Sequence, residues 1–403
     1  MNSKKKQKPI SKNKLLGIAG LAWMFDAMDV GILSFVIAAL AVEWNLTPEE
    51  MGWIGSINSI GMAVGALVFG VFADKVGRKK IFMLTLLMFS IASGLSALAT
   101  GLIIFLIFRF FVGMGLGGEL PVASTLVSES VEAKERGRVV VLLESFWAAG
   151  WIVSALIAYF IIPDYGWRIA LLITALPAFY AIYLRIKLPD SPQYTAKKSE
   201  SRSIMQNIKE VWSKKYAKRT LMLWIVWFMV VFSYYGMFLW LPSVMVMKGF
   251  TLIKSFEYVL IMTIAQLPGY FSAAWLIEKA GRKFVLVTYL LGTAASAFVF
   301  GAAETTTLLI VSGMLLSFFN LGAWGALYAY SPEQYPTVIR GTGSGMAASV
   351  GRVGGILGPL LVGSLVAAGY EIGYIFGIFC IAIVIGVLSV LFLGTETKQT
   401  ELE

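Results

Sequence analysis

The chain has 403 residues, of which 58% are hydrophobic and 14% charged, with a net charge of +10, one cysteine and no histidine. This is far more apolar than an ordinary soluble domain. It excludes histidine-based catalysis, imidazole metal sites, thiolate clusters and any intrachain disulfide.

Crossing a hydrocarbon core of ~30 Å takes about 20 apolar residues per helix. Twelve such stretches follow one another, at 15–42, 52–72, 81–99, 102–127, 139–162, 167–188, 219–242, 257–276, 284–303, 306–330, 339–368 and 372–394. The basic opening 1–14 has signal-peptide-like charge. The apolar run after it is too long for a signal peptide and lacks a small-residue cleavage site, so it reads as a retained first span. The expected organisation is a basic tail, an N-terminal six-helix bundle at 15–188, a polar linker at 189–218, a C-terminal six-helix bundle at 219–395 and a short tail at 396–403.

An even number of spans puts both termini on one side. Every Lys and Arg except Arg109, Arg168, Lys248, Lys254 and Arg352 falls on that side, which the positive-inside rule makes the cytosol. The basic charge therefore follows membrane sidedness. Anionic lipid headgroups, not nucleic acid, are its expected partner. The fold class is an all-α multi-pass protein of the cell membrane, expected to work as a monomer without a cofactor.

The two halves repeat. Asp74-Lys75-Val76-Gly77-Arg78-Lys79, after the second span, is matched 204 residues later by Glu278-Lys279-Ala280-Gly281-Arg282-Lys283. The same offset carries Glu129 onto Glu333, Arg136-Gly137 onto Arg340-Gly341 and Gly150 onto Gly354. GVFADKVGRKK at 70–80 resembles the signature loop of the major facilitator superfamily, and LIEKAGRKF at 276–284 resembles its second copy. RFFVGMGLGGELP at 109–121 and LPDSPQY at 188–194 are similar to segments of its sugar and organic-acid porters. DAMDVG in the first span resembles the paired aspartates of its aromatic-acid:proton symporters. With SYYGMFLWLP at 233–242 and SVGRVGGILGP at 349–359, the resemblance leans toward bacterial niacin permeases. It implies two pseudo-symmetric bundles around a central cavity, with the first and fourth helices side by side.

The Gly-Arg-Lys loops are short, so Gly77 is expected in a left-handed turn. Arg78 and its repeat Arg282 either anchor the topology at the headgroups or, with Asp74 and Glu278, form a gate. A gate bridge must be weak enough to break as one half rocks on the other. Arg136 and Arg340 are candidate partners, with Glu129 and Glu333 as braces. The Gly-rich runs at 113–118 and 343–359 suit close helix packing. They do not suit phosphate binding, since no strand precedes them and no Lys-Ser/Thr follows.

Six charges have no charged counterpart in the other half: Asp26, Asp29, Arg109, Glu119, Glu144 and Arg352 face Val230, Ser233, Gly313, Ala323, Ala348 and Ala148 at the same offset. A charge at the centre of a span costs ~2.5–3.5 kcal/mol on insertion scales and needs a partner or a cavity. At 1.5 Å per residue, Asp29 lies about 22 Å beyond Lys14 and Arg109 about 12 Å from the turn at Gly101, so the two share a depth. The resemblance, which sets the first and fourth helices side by side, implies that they can pair. Asp26 and Asp29, at i,i+3, share one helix face with Cβ atoms roughly 5–6 Å apart. Two carboxylates that close in low dielectric do not both ionise easily, so the pair is expected to carry a proton.

Arg109 holds an aspartate in the empty state or a substrate carboxylate in the loaded one. Trp147 and Trp151 share a helix face, and Tyr234 and Tyr235 precede Gly236; these four are candidates for a flat wall against an aromatic ring. Gln266 and Asn320 either bind a ring nitrogen or bond a neighbouring helix. Glu119 and Glu144, nearer the cytosolic ends, read as gate partners. Arg352 pairs with one of them or contacts an anionic substrate. The expected function is secondary, proton-coupled import of a small organic acid such as nicotinate. The alternatives are a proton-coupled exporter and a transporter-like nutrient sensor. No nucleotide-binding motif or catalytic set is present, so the chain does not read as an enzyme.

Overall fold

A computed structural model of the chain describes residues 12–76, 78–117, 135–186 and 204–398. The described residues are almost wholly helical. The first half holds α1 (Lys12–Glu43), α2 (Pro48–Val76), α3 (Arg78–Ser96), α4 (Leu102–Gly117) and the run Arg136–Ile186. That run is two helices, α5 (136–165) and α6 (167–186), because Gly166 leaves helical geometry at φ 81° and ψ 165°. Positive φ is a conformation that glycine adopts without a Cβ clash. In the linker lies α7 (Ile204–Val211). The second half holds α8 (Ala217–Phe238), α9 (Leu241–Met247), α10 (Leu252–Ile264), α11 (Gln266–Ala280), α12 (Arg282–Ala302), α13 (Thr306–Glu333), α14 (Thr337–Ala367) and α15 (Ile372–Leu393).

Local chemistry sets these boundaries. Thr47-Pro48-Glu49-Glu50 is a capping box at the start of α2: the Thr47 N–H donates to Glu50 Oε2 at 2.8 Å and the Glu50 N–H to Thr47 Oγ1 at 3.3 Å. Each side chain satisfies a backbone donor that the helix cannot. The eighth span is divided at Ala265 into α10 and α11. Pro268 accounts for the break, since its ring crowds the carbonyl four residues back, that of Ile264. Gly281, between α11 and α12, turns at φ 101°. Its repeat Gly77 lies outside the described residues.

Among the described residues nine helices are long and apolar enough to cross a membrane, with shorter apolar helices at Leu87–Ser96 and Leu102–Gly117. One of the nine, Gly137–Leu176, contains the Gly166 break where the sequence expects its fifth span to meet its sixth. Large apolar side chains such as Leu67, Phe160, Leu176, Phe298 and Phe392 are exposed along them. That is the outer surface a lipid solvent permits.

The internal repeat reappears as repeated contacts. A Cβ on Gly150 of α5 would strike the Met24 carbonyl of α1, and one on Gly354 of α14 the Phe228 carbonyl of α8. Likewise Gly65 of α2 lies against the Met114 carbonyl, and Gly269 of α11 against that of Phe318. Every one of these pairs is related by the 204-residue offset. Apolar burial does not drive helices together in lipid, so close backbone approach at small residues carries much of the association. The halves meet where α2 packs on α14 and where α5 packs on α10, α11 and α13.

Candidate functional site

Asp29, on α1, is wholly buried and joined to Arg109 of α4. Arg109 Nη2 donates to Oδ2 at 2.7 Å and Nη1 to Oδ1 at 3.3 Å. Ser93 Oγ of α3 donates to the same Oδ1 at 2.8 Å. Three helices of one half therefore converge on a single carboxylate. Asp26, one turn away on α1, is also buried. Arg109 was expected to hold an aspartate in the empty state and a substrate carboxylate in the loaded one. The structure spends both its terminal nitrogens on Asp29, inside the N-terminal bundle, and leaves its side chain 0% exposed.

A second constellation lies between the halves. Trp23 of α1 and Trp147 of α5 have ring centroids 5.7 Å apart. Trp147 Nε1 donates to Tyr234 Oη of α8 at 2.9 Å. Tyr234 lies 4.7 Å from Trp324 of α13, Trp324 5.8 Å from Tyr328, and Tyr328 6.3 Å from Trp23. The circuit closes: five aromatic side chains, two from the first half and three from the second, form one ring. Trp151 and Tyr235 stand behind it, 6.2 Å and 5.3 Å from Tyr234. Helical spacing explains the convergence. Glu144, Trp147 and Trp151 line one stripe of α5, and Asn320, Trp324 and Tyr328 one stripe of α13.

Glu144, expected as a gate partner, stands at this ring. It is wholly buried, and Trp23 Nε1 donates to its Oε2 at 3.2 Å. The Trp324 indole N–H also lies beside this carboxylate, and Oε1 accepts no hydrogen bond among the described residues. Gln266 and Asn320 are buried with neither amide atom bonded, as are the Tyr235 and Tyr270 hydroxyls and the Trp151 indole N–H. Each such group costs ~1–3 kcal/mol if left unmet. Arg352, on α14, makes one polar contact, Nη1 to Met62 Sδ at 3.4 Å, and has no carboxylate partner among the described residues. Sequence reasoning missed Tyr328, whose signal was its spacing from Trp324. It did not place Glu144 at the ring, because depth along a helix does not give the direction a side chain faces. The surface clefts beside Trp44 and Glu50 and beside Lys248 and Glu371 lie elsewhere, at the end opposite the termini.

At the end bearing the termini, Arg282 is buried between two acids. Its Nη1 meets Glu278 Oε2 at 2.7 Å and its Nε meets Glu333 Oε2 at 3.0 Å. Glu278 Oε1 also accepts the Arg138 N–H at 3.1 Å, which ties α11 to the start of α5 in the other half. Arg340 donates to the Pro332 and Tyr335 carbonyls and closes the turn between α13 and α14. Glu119, Glu129 and Gly77 lie outside the described residues, as do the side chains of Asp74, Arg78 and Arg136.

The Major Facilitator Superfamily model matches residues 19–272 and 258–403. The chain is 68% identical over 398 residues to a Bacillus subtilis protein provisionally named niacin/nicotinamide transporter NiaP, covering 99% of this chain and 100% of the relative. It is 48% identical to the niacin transporter NiaP of Acinetobacter baylyi, covering 96% and 95%. Its fold is similar to the proton:xylose symporter XylE bound to 6-bromo-6-deoxy-D-glucose, with a TM-score of 0.76 at 19% identity, covering 96% of this chain and 97% of the other. With the family model spanning both halves, and with the halves repeating each other contact by contact, the chain belongs to the major facilitator superfamily.

Proposed function

We propose that the chain is a secondary transporter of the cell membrane, with both termini cytosolic, that works as a monomer and imports nicotinate or a related aromatic monocarboxylate together with protons. The observation that carries this reading is the aromatic ring built by both halves, with a carboxylate at its rim. A planar ligand held there touches both bundles at once, so its arrival and departure are felt by the contacts that let one half rock on the other. The names of the two NiaP relatives support the substrate class.

In this reading the roles divide. Arg352, with no carboxylate partner among the described residues, receives the substrate carboxylate. The Asp29–Arg109 pair, with Asp26 beside it, carries the proton. A fully desolvated ion pair gains little over apolar packing, so stability alone is a weak reason to keep it. Protonating Asp29 cancels the charge that holds Arg109 and loosens α1 from α4. Glu278, Arg282 and Glu333 close the cytosolic end, with Arg340 and the first-half residues Asp74, Arg78, Glu119, Glu129 and Arg136 in the same service. Labelled nicotinate uptake into proteoliposomes tests the reading. Wild type accumulates nicotinate with an inward proton gradient. Asp29→Asn loses the gradient stimulation and more than about tenfold of the accumulation, a factor worth ~1.4 kcal/mol. Gradient-stimulated accumulation by Asp29→Asn equal to wild type rules out this coupling site.

A further inference from the structure

Glu144 is a buried acidic side chain that neither the Asp29–Arg109 pair nor the Arg282 cluster uses. One of its oxygens is held by Trp23 at 3.2 Å, and the other accepts no hydrogen bond among the described residues. Its surroundings are aromatic on every side that the structure names: Trp23 bonds it, Trp324 faces it, and Tyr270 and Tyr328 lie within electrostatic reach. A carboxyl group desolvated to this degree is costly unless a partner completes its hydrogen bonding. A packing role alone would be met as well by leucine or methionine, which carry no such cost.

We propose that Glu144 is the specificity-determining residue that hydrogen-bonds the ring nitrogen of a pyridine carboxylate, so that the site selects a pyridine over a benzene ring. This rests on the transport reading above. The aromatic walls accept the flat faces of either ring, and Arg352 accepts the carboxylate of either acid. Only the in-plane nitrogen separates them. One proton lies between Glu144 Oε1 and that nitrogen, whether carried in as carboxylic acid or as pyridinium, so nothing is gained or lost by the pair. Benzoate puts a C–H there and leaves Oε1 unmet. A site built to hydrogen-bond a ligand rejects the analogue that lacks the group far better than an apolar pocket rejects a difference of shape.

The experiment is competition in proteoliposomes containing the full chain: labelled nicotinate uptake against unlabelled nicotinate, isonicotinate and benzoate. Wild type is expected to prefer nicotinate to benzoate by roughly tenfold or more. Isonicotinate, with its nitrogen displaced, should compete like benzoate. Glu144→Leu should bring the nicotinate to benzoate ratio close to one, and Glu144→Gln, whose amide still donates to a pyridine nitrogen, should keep most of it. A ratio unchanged in Glu144→Leu overturns the proposal, as does an equal loss for both acids. Where Glu144→Leu does not reach the membrane, the wild-type ranking and Glu144→Gln decide: benzoate competing as well as nicotinate overturns it. Wild type that takes up no nicotinate at all overturns the transport reading and this inference with it. Nicotinate uptake with a ratio indifferent to residue 144 overturns this inference alone.

Discussion

Two guanidiniums within the helical spans of this molecule face different chemistry. Arg109 has given both terminal nitrogens to Asp29, while Arg352 touches one thioether sulfur. Substitution should separate them. Removing one partner of a buried pair strands the other as an uncompensated charge, at ~3–5 kcal/mol. Arg109→Ala should therefore lower the unfolding temperature in detergent, and Asp29→Asn on top of it should restore much of the loss. Arg352→Gln should leave that temperature near wild type and raise the KM for nicotinate roughly 10-fold to 100-fold, the size of a lost charge-assisted hydrogen bond. Nicotinamide, which has no carboxylate, should be affected less. Equal effects on the two ligands would remove Arg352 from the carboxylate.

At the scale of elements, helix ends and helix contacts do most of the positioning. The start of α12 is capped from a distance: Glu396, past the end of α15, accepts the Arg282 N–H at 2.8 Å and the Lys283 N–H at 3.0 Å. A carboxylate there satisfies donors that no residue of α12 can reach and opposes the helix dipole. The same segment reaches the ion cluster, since Thr397 Oγ1 donates to Glu333 Oε2 at 2.7 Å. Glu396→Ala should cost ~1 kcal/mol, as other lost N-caps do. The loss should register as faster hydrogen exchange at the first amides of α12, and unchanged exchange there would mean the cap is idle. The break at Ala265 is an element-scale device too. It begins α11 at Gln266, so this buried, unbonded amide stands at a helix start.

For the whole molecule, the contacts between halves lie at three levels. Glu278 meets the Arg138 N–H near the termini, Trp147 meets Tyr234 at the centre, and Phe35 of α1 lies 5.3 Å from Phe256 of α10 toward the other end. Alternating access requires the first and last of these to open in turn. A tether at one end should stop the cycle. In a Cys380→Ser background, Phe35→Cys with Phe256→Cys treated with a short bifunctional thiol reagent should lose uptake, while either single variant so treated should retain it. Undiminished uptake by the cross-linked protein would mean that this contact stays closed throughout transport.

Periodic apolar stretches, the basic bias of the loops and the 204-residue repeat determined the membrane class and the two-bundle plan from the sequence alone. They are local or additive properties, summed along the chain. The Asp29–Arg109 contact was legible once the family resemblance set the first and fourth helices side by side, because depth follows from counting residues at a fixed rise. Direction around each helix axis was not. Which face α5 turns to α1 depends on how small residues let backbones approach, as at Gly150 against Met24. That approach decided that Glu144 stands at an aromatic ring and that Tyr328 completes the ring. These are contacts between residues a hundred or more positions apart, or between helices whose rotations are fixed only together, so the tertiary structure alone decided them.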